Sequence, residues 1–156
     1  MIPKKVSLDK KDIELLRILQ EDSSTPFVEI AESIGVTDGT IHQRIRKLKK
    51  SGILKRFTIQ LNQEKVGYRS LAYVLITVNP GNIDSVSKEI INISNVLETH
   101  EVHTQGQLLI KLRASSDNEM RDIIVEKIRA IEGVANSELI PVYKVWKEET
   151  NLPLAS

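Results

Sequence analysis

The segment Thr37-Asp-Gly-Thr-Ile-His-Gln-Arg-Ile-Arg-Lys-Leu-Lys-Lys-Ser-Gly52 constrains the fold most. Taken as a helix at about 100° per residue, it sets Ile41, Ile45 and Leu48 on one face. Gly39, Gln43, Arg46 and Lys50 fall on the opposite face, and Arg44, Lys47 and Lys49 fill the flanks. No Asp or Glu occurs between Gly39 and Gln63. One side is suited to a small core. The other offers cations, an amide and a glycine that lets another surface come close, which is what a helix entering the major groove of DNA needs. An isolated charge run is more simply a solvated face, so the neighbouring elements decide between the two readings.

Those neighbours favour DNA. Leu8-Asp9-Lys-Lys-Asp12-Ile13 reads as a helix start, with Asp9 as cap, Asp12 in the first turn, and Leu8 and Ile13 as a hydrophobic staple. This helix is expected to run to about Gln20, with Ile13, Leu16 and Leu19/Gln20 inward. Glu21–Pro26 breaks it. Phe27 to Ile34 reads as a short second helix carrying Val28, Ile30, Ala31 and Ile34, ended by Gly35 in a left-handed turn. Val36 plugs the turn, Thr37 caps the third helix, and Ser51-Gly52 stops it. Three helices with a tight turn between the second and third make a helix-turn-helix. Ile53 to Leu61, rich in β-branched and aromatic residues, reads as a strand and connector leaving this unit.

The remainder reads as βαββαβ. Ser70–Val78, Val96–His103, Leu108–Ala114 and Val134–Val145 are expected strands, and Ile83–Ser94 and Asp117–Ile131 are expected helices with apolar residues at helical spacing. Thr104-Gln-Gly-Gln107 separates the two middle strands. That order defines an α+β, ferredoxin-like sandwich, a fold that by itself names no function. Charge separates the same two parts. Residues 1–62 hold 12 Lys/Arg against 8 Asp/Glu, and residues 63–156 hold 10 against 13. A basic part and an acidic part suggest that only the first meets a polyanion. The absence of Cys excludes thiol nucleophiles, disulfides and Cys-ligated zinc, and a reducing compartment fits. No segment is apolar enough to be a signal peptide or membrane span, so a cytoplasmic protein with no membrane partner is expected.

With both parts placed, the chain resembles the Lrp/AsnC family of transcription regulators, the leucine-responsive or feast/famine proteins. The resemblance is carried by Leu8-Asp9-x-x-Asp12-x-x-x-Leu16-x-x-Leu19, by Glu29-Ile-Ala31, and by Ile34-Gly-Val-Thr37-x-x-Thr40-Ile-x-x-Arg44-Ile-x-x-Leu48-x-x-x-Gly52-Ile53. Lys55–Leu61 followed by Val66-Gly67-Tyr68 resembles the family's hinge strand and its exit. The resemblance implies a helix-turn-helix domain with hinge over residues 1–62 and a ligand-sensing, oligomerisation domain over 63–156. It also implies a homodimer, often assembled to a tetramer or octamer, and a small-molecule effector. In this family the loop between the second and third strands of the second domain usually reads Gly-x-x-Asp, the Asp holding the effector's amino group. Thr104 stands here for the Gly and Gln107 for the Asp. Ser137 matches one of two small hydroxyl residues early in the last strand, and Leu139 replaces the other.

The expected DNA-binding residues are Thr37, Gly39, Thr40, Gln43, Arg44, Arg46, Lys47, Lys50 and Lys55. Arg46 and Gln43 have the chemistry to read guanine and adenine. Arg44, Lys47, Lys50 and Lys55 suit phosphates, which position without specifying. Arg44 lies near the buried face and equally suits an ion pair with an acid of the first helix. His42 is expected to be exposed. The expected effector pocket takes Thr104, Gln105, Gly106, Gln107 and Ser137. No cofactor or catalytic residue is called for, and His100 and His103 point to opposite strand faces, a poor metal geometry. Two alternatives remain. One is a DNA-organising protein without effector. The other is an enzyme similar to sirohaem decarboxylases, which share the Lrp-like layout; His100, His103 and Arg113 would then be its acid/base and carboxylate-binding candidates.

Overall fold

A computed structural model describes residues 7–102 and 106–155. The chain divides into two units, one running to Gln60 and taking in Glu148 onward, the other comprising Leu61–Lys147. The first holds α1 (Lys10–Glu21), α2 (Phe27–Ile34) and α3 (Asp38–Lys50). A reciprocal capping box starts α1: the Asp12 amide donates to the Asp9 carboxylate at 2.8 Å, and the Asp9 amide donates to the Asp12 carboxylate at 3.2 Å. The inward stripe of α1 is Asp12, Leu15, Leu16 and Leu19, with Ile13 only half-buried. The expected stripe through Ile13 is displaced because a carboxylate takes the inward position of the first turn. Gly35 ends α2 at φ 68° and ψ 51°, where any side chain would be strained. Val28, expected among the inward residues of α2, is exposed. Leu15, Leu16, Leu19, Ile30, Ala31, Ile34, Ile41, Ile45 and Leu48 form the core.

Two differences from the sequence reading concern this unit's ends. Residues 53–62 contain no strand. Leu54 donates its amide to the Leu48 carbonyl at 3.1 Å, but Lys55 onward is exposed. A strand exists only through a neighbour's hydrogen bonds, and no strand of this unit runs beside it. The second difference is the segment after Lys147. Expected to belong to the second domain, it groups instead with the first unit, where Leu154 packs against the three-helix core.

The second unit holds β1 (Ser70–Val78), α4 (Ile83–Ile90), β2 (Val96–Val102), β3 (Gln107–Ala114), α5 (Asp117–Asp122, continued by a π-helical stretch Ile123–Ile128) and β4 (Val134–Pro141). The sheet order is β2-β3-β1-β4, with every neighbouring pair antiparallel. Strand alternation sends Ala72, Val74, Ile76 and Val78 of β1 and Leu108, Ile110, Leu112 and Ala114 of β3 into one core with the helices. Val86, Ile90, Met120, Ile123, Ile124 and Ile128 complete it. In the π stretch the Arg129 amide donates to the Ile124 carbonyl five residues back, at 2.9 Å. β4 ends at Pro141, short of the expected Val145; the Val142 amide still donates to the Leu71 carbonyl at 2.9 Å, but β1 begins at Ser70 and offers no partner beyond it.

Gly133, between the π stretch and β4, has φ 99°, and a Cβ there would lie 2.7 Å from Asn82 Cβ. Its carbonyl accepts from the Asn79 amide at 2.7 Å, which pins the turn before α4. Gly133→Ala is therefore expected to destabilise this unit by about 1–3 kcal/mol. Urea denaturation would register this as a lower midpoint at unchanged slope; an unchanged midpoint would refute the steric argument.

Candidate nucleic-acid interface and effector site

The position of α3 is fixed from beneath by two kinds of contact. Ile41, Ile45 and Leu48 rest on the core. Beside them, the Asp12 carboxylate, 0% exposed, sits where α1 meets α3. Arg44 Nη1 donates to Asp12 Oδ1 at 2.6 Å and to Asp9 Oδ2 and Oδ1 at 2.6 and 2.8 Å. Lys47 Nζ lies 3.6 Å from Asp12 Oδ2. Hydrogen bonding to Arg44 holds the Asp9 carboxyl below its ordinary range, and the same bonds, with those to Asp12, push the guanidinium up. Of the two readings for Arg44, the geometry gives the ion pair with α1. Asp9, Thr40, Gln43, Arg44 and Lys47 line a shallow depression there.

The outer face of α3 has the opposite character. Gln43, Arg46, Lys47 and Lys50 are exposed. At the amino-terminal end of α3 the Thr37 hydroxyl accepts from the Thr40 amide at 3.3 Å and shares a 2.9 Å hydrogen bond with the Thr40 hydroxyl. A Cβ on Gly39 would meet only Thr37 Oγ1, at 3.9 Å, so nothing inside the unit requires glycine there. His42 is exposed as expected, yet it is not idle. It lies 3.6 Å from Asp38 and edge-on to the Phe27 ring at 5.1 Å. Phe27 in turn contacts Phe57, over whose ring Lys49 sits at 5.0 Å. Lys55 and Arg56 are exposed on the outgoing chain. The sequence reading passed over Arg56, although it stands in the same acid-free run.

Of the expected effector residues, Gly106, Gln107 and Ser137 are among those described. Thr104 and Gln105 lie outside the described residues, as does His103. Gly106 has φ 69°, its carbonyl accepts from the Val78 amide at 2.7 Å, and a Cβ would come within 2.9 Å of the Val78 carbonyl oxygen. Gln107 is not a loop residue; it opens β3, opposite Thr77, and donates to the Thr77 hydroxyl at 3.5 Å. Ser137 is opposite Ile76 and buried, 5% exposed, on the helix-covered face. Its hydroxyl accepts from Arg129 Nε at 2.8 Å and its carbonyl from the same guanidinium at 3.2 Å. Thr77 and Ile76 are consecutive and point to opposite faces. Gln107 and Ser137 therefore lie on opposite sides of the sheet. Leu139 is exposed near the end of β4.

The enzyme alternative gains little from the geometry. His100 Nε2 lies 3.3 Å from Glu98 Oε2, and Lys111 Nζ 3.3 Å from Glu98 Oε1. The His100 hydrogen bond and the Lys111 charge hold the Glu98 carboxyl below its ordinary range. Arg113 is buried, four residues along β3 from Leu109, the register partner of His100. Four strand residues separate them by about 13 Å. Among the described residues, no helix is long and apolar enough to cross a membrane.

A helix-turn-helix unit with a basic outer face, carried on the same chain as a four-stranded antiparallel α+β unit, has the architecture of a DNA-binding transcription regulator. Residues 8–49 match the AsnC-type helix-turn-helix domain and residues 71–152 the Lrp/AsnC ligand binding domain. The chain belongs to the Lrp/AsnC family of transcriptional regulators. It is 34% identical over 147 residues to the HTH-type transcriptional regulator FL11 of Pyrococcus furiosus, covering 94% of this chain and 97% of that one. It is 27% identical over 135 residues to the regulatory protein AsnC of Haemophilus influenzae, covering 86% and 90%. The fold matches Escherichia coli AsnC with a TM-score of 0.87 at 22% identity, over 94% of this chain and 99% of that one. It also matches transcriptional regulator NMB0573 of Neisseria meningitidis, solved as an L-Met complex, with a TM-score of 0.86 at 21% identity, over 94% and 97%.

Arg44→Ala would leave the buried Asp12 with the Asp9 amide and the more distant Lys47. Removing one partner of a buried ion pair is expected to destabilise the helix-turn-helix unit by about 3 kcal/mol, with Arg44→Lys recovering part. Because the Asp9 carboxyl titrates below its unfolded value, its share of the stabilisation is present above that value and is lost as pH falls through the folded one. The wild type's advantage over Arg44→Ala should accordingly narrow on acidification. Urea denaturation at neutral and acid pH measures both; equal stability of the two proteins at neutral pH would sink this assignment.

Proposed function

We propose that the protein is a cytoplasmic, sequence-specific regulator that binds a pseudo-palindromic operator as a homodimer, assembled further to a tetramer or octamer, and catalyses no reaction. The observation that carries this reading is the outer face of α3, free of acids from Gly39 to Gln63, with a Gly39 that nothing inside the unit requires. In this reading α3 enters the major groove, Gly39 allows close approach, and Gln43 and Arg46 read base edges. Thr37, Thr40, Lys47, Lys50 and Lys55 hold phosphates. Arg44 acts from beneath, as the strut that orients α3. Pairing is supported by Ile59 and Leu61, 76% and 57% exposed on a segment with no ladder partner, and by Ile140 and the half-buried Tyr73, Leu75 and Leu109 on the uncovered sheet face.

On this reading Arg46→Ala costs about 1–3 kcal/mol of binding and relaxes preference at one base pair in each half-site. Lys50→Ala weakens all sequences alike and lowers the salt slope. Footprinting and titration against operator and random DNA test both. Equal affinity for the two DNAs, untouched by Arg46→Ala, would leave only a DNA-organising protein.

The effector proposal is narrower. A relative of this fold was solved with L-Met. Here Gln107 offers an uncharged amide where the family places an acid, and an ammonium group buried without a carboxylate is costly. We infer that common α-amino acids bind weakly or not at all, and that any effector lacks a free ammonium group. Since Gln107 and Ser137 face opposite sides of their own sheet, such a site needs a second subunit to complete it. Calorimetric titration with the common amino acids is the check. Micromolar binding by any of them would overturn the inference, and Gln107→Asp should raise the affinity. Absorbance after incubation with a tetrapyrrole addresses the enzyme alternative, for which no binding is expected.

A further inference from the structure

We propose that residues 148–155 are a second tether on the helix-turn-helix unit, and that Arg17, Gln20 and Leu154, which hold it, determine the spacing of operator half-sites the protein accepts. The proposal rests on the paired half-site reading above and adds a determinant outside the DNA-contacting face.

The segment is read by α1 chiefly through its backbone. The Gln20 side-chain amide faces Leu152 in both directions: Nε2 donates to the Leu152 carbonyl at 3.2 Å, and Oε1 accepts from the Leu152 amide at 2.8 Å. Asn151 Nδ2 returns a bond to the Gln20 carbonyl at 3.0 Å, satisfying an acceptor in the last turn of α1. Arg17 Nε donates to the Leu154 carbonyl at 3.1 Å, and a second guanidinium nitrogen donates to the same oxygen. The Leu154 side chain packs on the three-helix core. Gln60 Nε2 donates to the Thr150 hydroxyl at 2.7 Å. That last contact falls at the residue where the chain leaves the first unit.

Chain topology gives these contacts a consequence. The chain passes between the two units twice, after Gln60 and again after Lys147. With one connection, the span open to a helix-turn-helix grows with the square root of the free linker length. Pinning the second connection to α1, within a few residues of its crossing, removes most of that freedom. In a dimer the reach of each helix-turn-helix from the paired domains fixes the separation of the two α3 helices, and hence the half-site spacing. The contacts leave the α3 face untouched, so loosening them should change the accepted geometry without changing base preference.

The test uses the full-length chain. Wild type, Gln20→Ala/Leu154→Asp and a chain ending at Lys147 are titrated against DNAs that carry identical half-sites at centre spacings varied through one helical turn, about 10 bp. The expected result is one preferred spacing for wild type, and in both variants affinities within about threefold of each other over several spacings, with the single half-site affinity unchanged. A variant that keeps the wild-type spacing profile overturns the proposal. A DNA-free measurement separates its failure from failure of the operator reading. The protein has no Cys, so spin labels at Glu32→Cys and Asp122→Cys, diluted into unlabelled chain, report the distance between units within one chain. The distance distribution should widen about twofold when the tether is released. An unchanged distribution overturns the proposal even where no operator has been found, whereas widening together with wild-type indifference to spacing would sink the operator reading and the role in spacing, leaving the segment as a tether alone.

Discussion

The carboxylate of Asp12, fully buried in the first turn of α1, is the interaction on which the DNA-binding unit depends. A buried anion is tolerable only when paired and hydrogen-bonded. Asp12 meets both conditions by closing the capping box with Asp9 and by accepting from Arg44 at 2.6 Å. One side chain thus starts α1 and fixes the height and rotation of α3 above it. The three-helix core is small and aliphatic, and aliphatic contacts are not directional. A helix lying on Ile and Leu alone could roll by several degrees at little cost. The guanidinium–carboxylate geometry is directional, so it specifies a rotation that packing only favours. For the third helix of a DNA-binding helix-turn-helix domain, that rotation is a functional quantity.

In the second unit the governing constraint is the alternation of side chains along strands. It turns Ala72, Val74, Ile76 and Val78 inward under the helices, and by the same rule sets Thr77 and Gln107 on the uncovered face. Ser137, paired with Ile76, is committed to the covered face and held by Arg129. Residues close in the topology are therefore separated by the thickness of the sheet. Gln107 and Ser137 cannot meet on one face of this sheet. The uncovered face carries the half-buried Tyr73, Leu75 and Leu109 and the exposed Ile140.

Most of the fold was legible because its signals are local. The Asp9 and Thr37 caps, the Gly35 turn, the apolar stripe of α3 and the βαββαβ order all follow from periodicity and cap chemistry read over a few residues. What was not legible depends on partners distant in sequence. Ile53–Leu61 has strand composition, but a strand is made by its neighbour, and among the described residues no strand lies beside it. Asp12 displaced Ile13 from the inward stripe because an apolar-periodicity argument cannot place a carboxylate inside. Glu148–Ala155 shows no hydrophobic period, and its attachment is through backbone groups to Gln20 and Arg17, which composition does not reveal. For the residues expected to hold an effector, the sequence supplies the residue types. The face each occupies required the register, and a one-residue difference in register exchanges the faces.

Net charge per domain, which first separated the two parts, turns out to be a weaker argument than it looked. Divided at residue 62, the chain reads as 12 Lys/Arg against 8 Asp/Glu and then 10 against 13. Divided along the structural units, Glu148 and Glu149 move to the first, which then holds 12 against 10, while the second holds 10 against 11. The contrast nearly vanishes, yet the case for DNA does not weaken. Phosphate binding depends on how many cations reach the backbone and release counterions, not on the sum over a domain. Asp9 and Asp12 are spent on Arg44 beneath α3, and Asp38 sits beside His42 at its first turn, where the helix dipole favours an anion. Asp9, Asp12 and Asp38 are placed where they build and orient the third helix, and the run from Gly39 to Arg56 carries no acid. The arrangement of charge around one helix, rather than its excess, makes the surface fit for a polyanion.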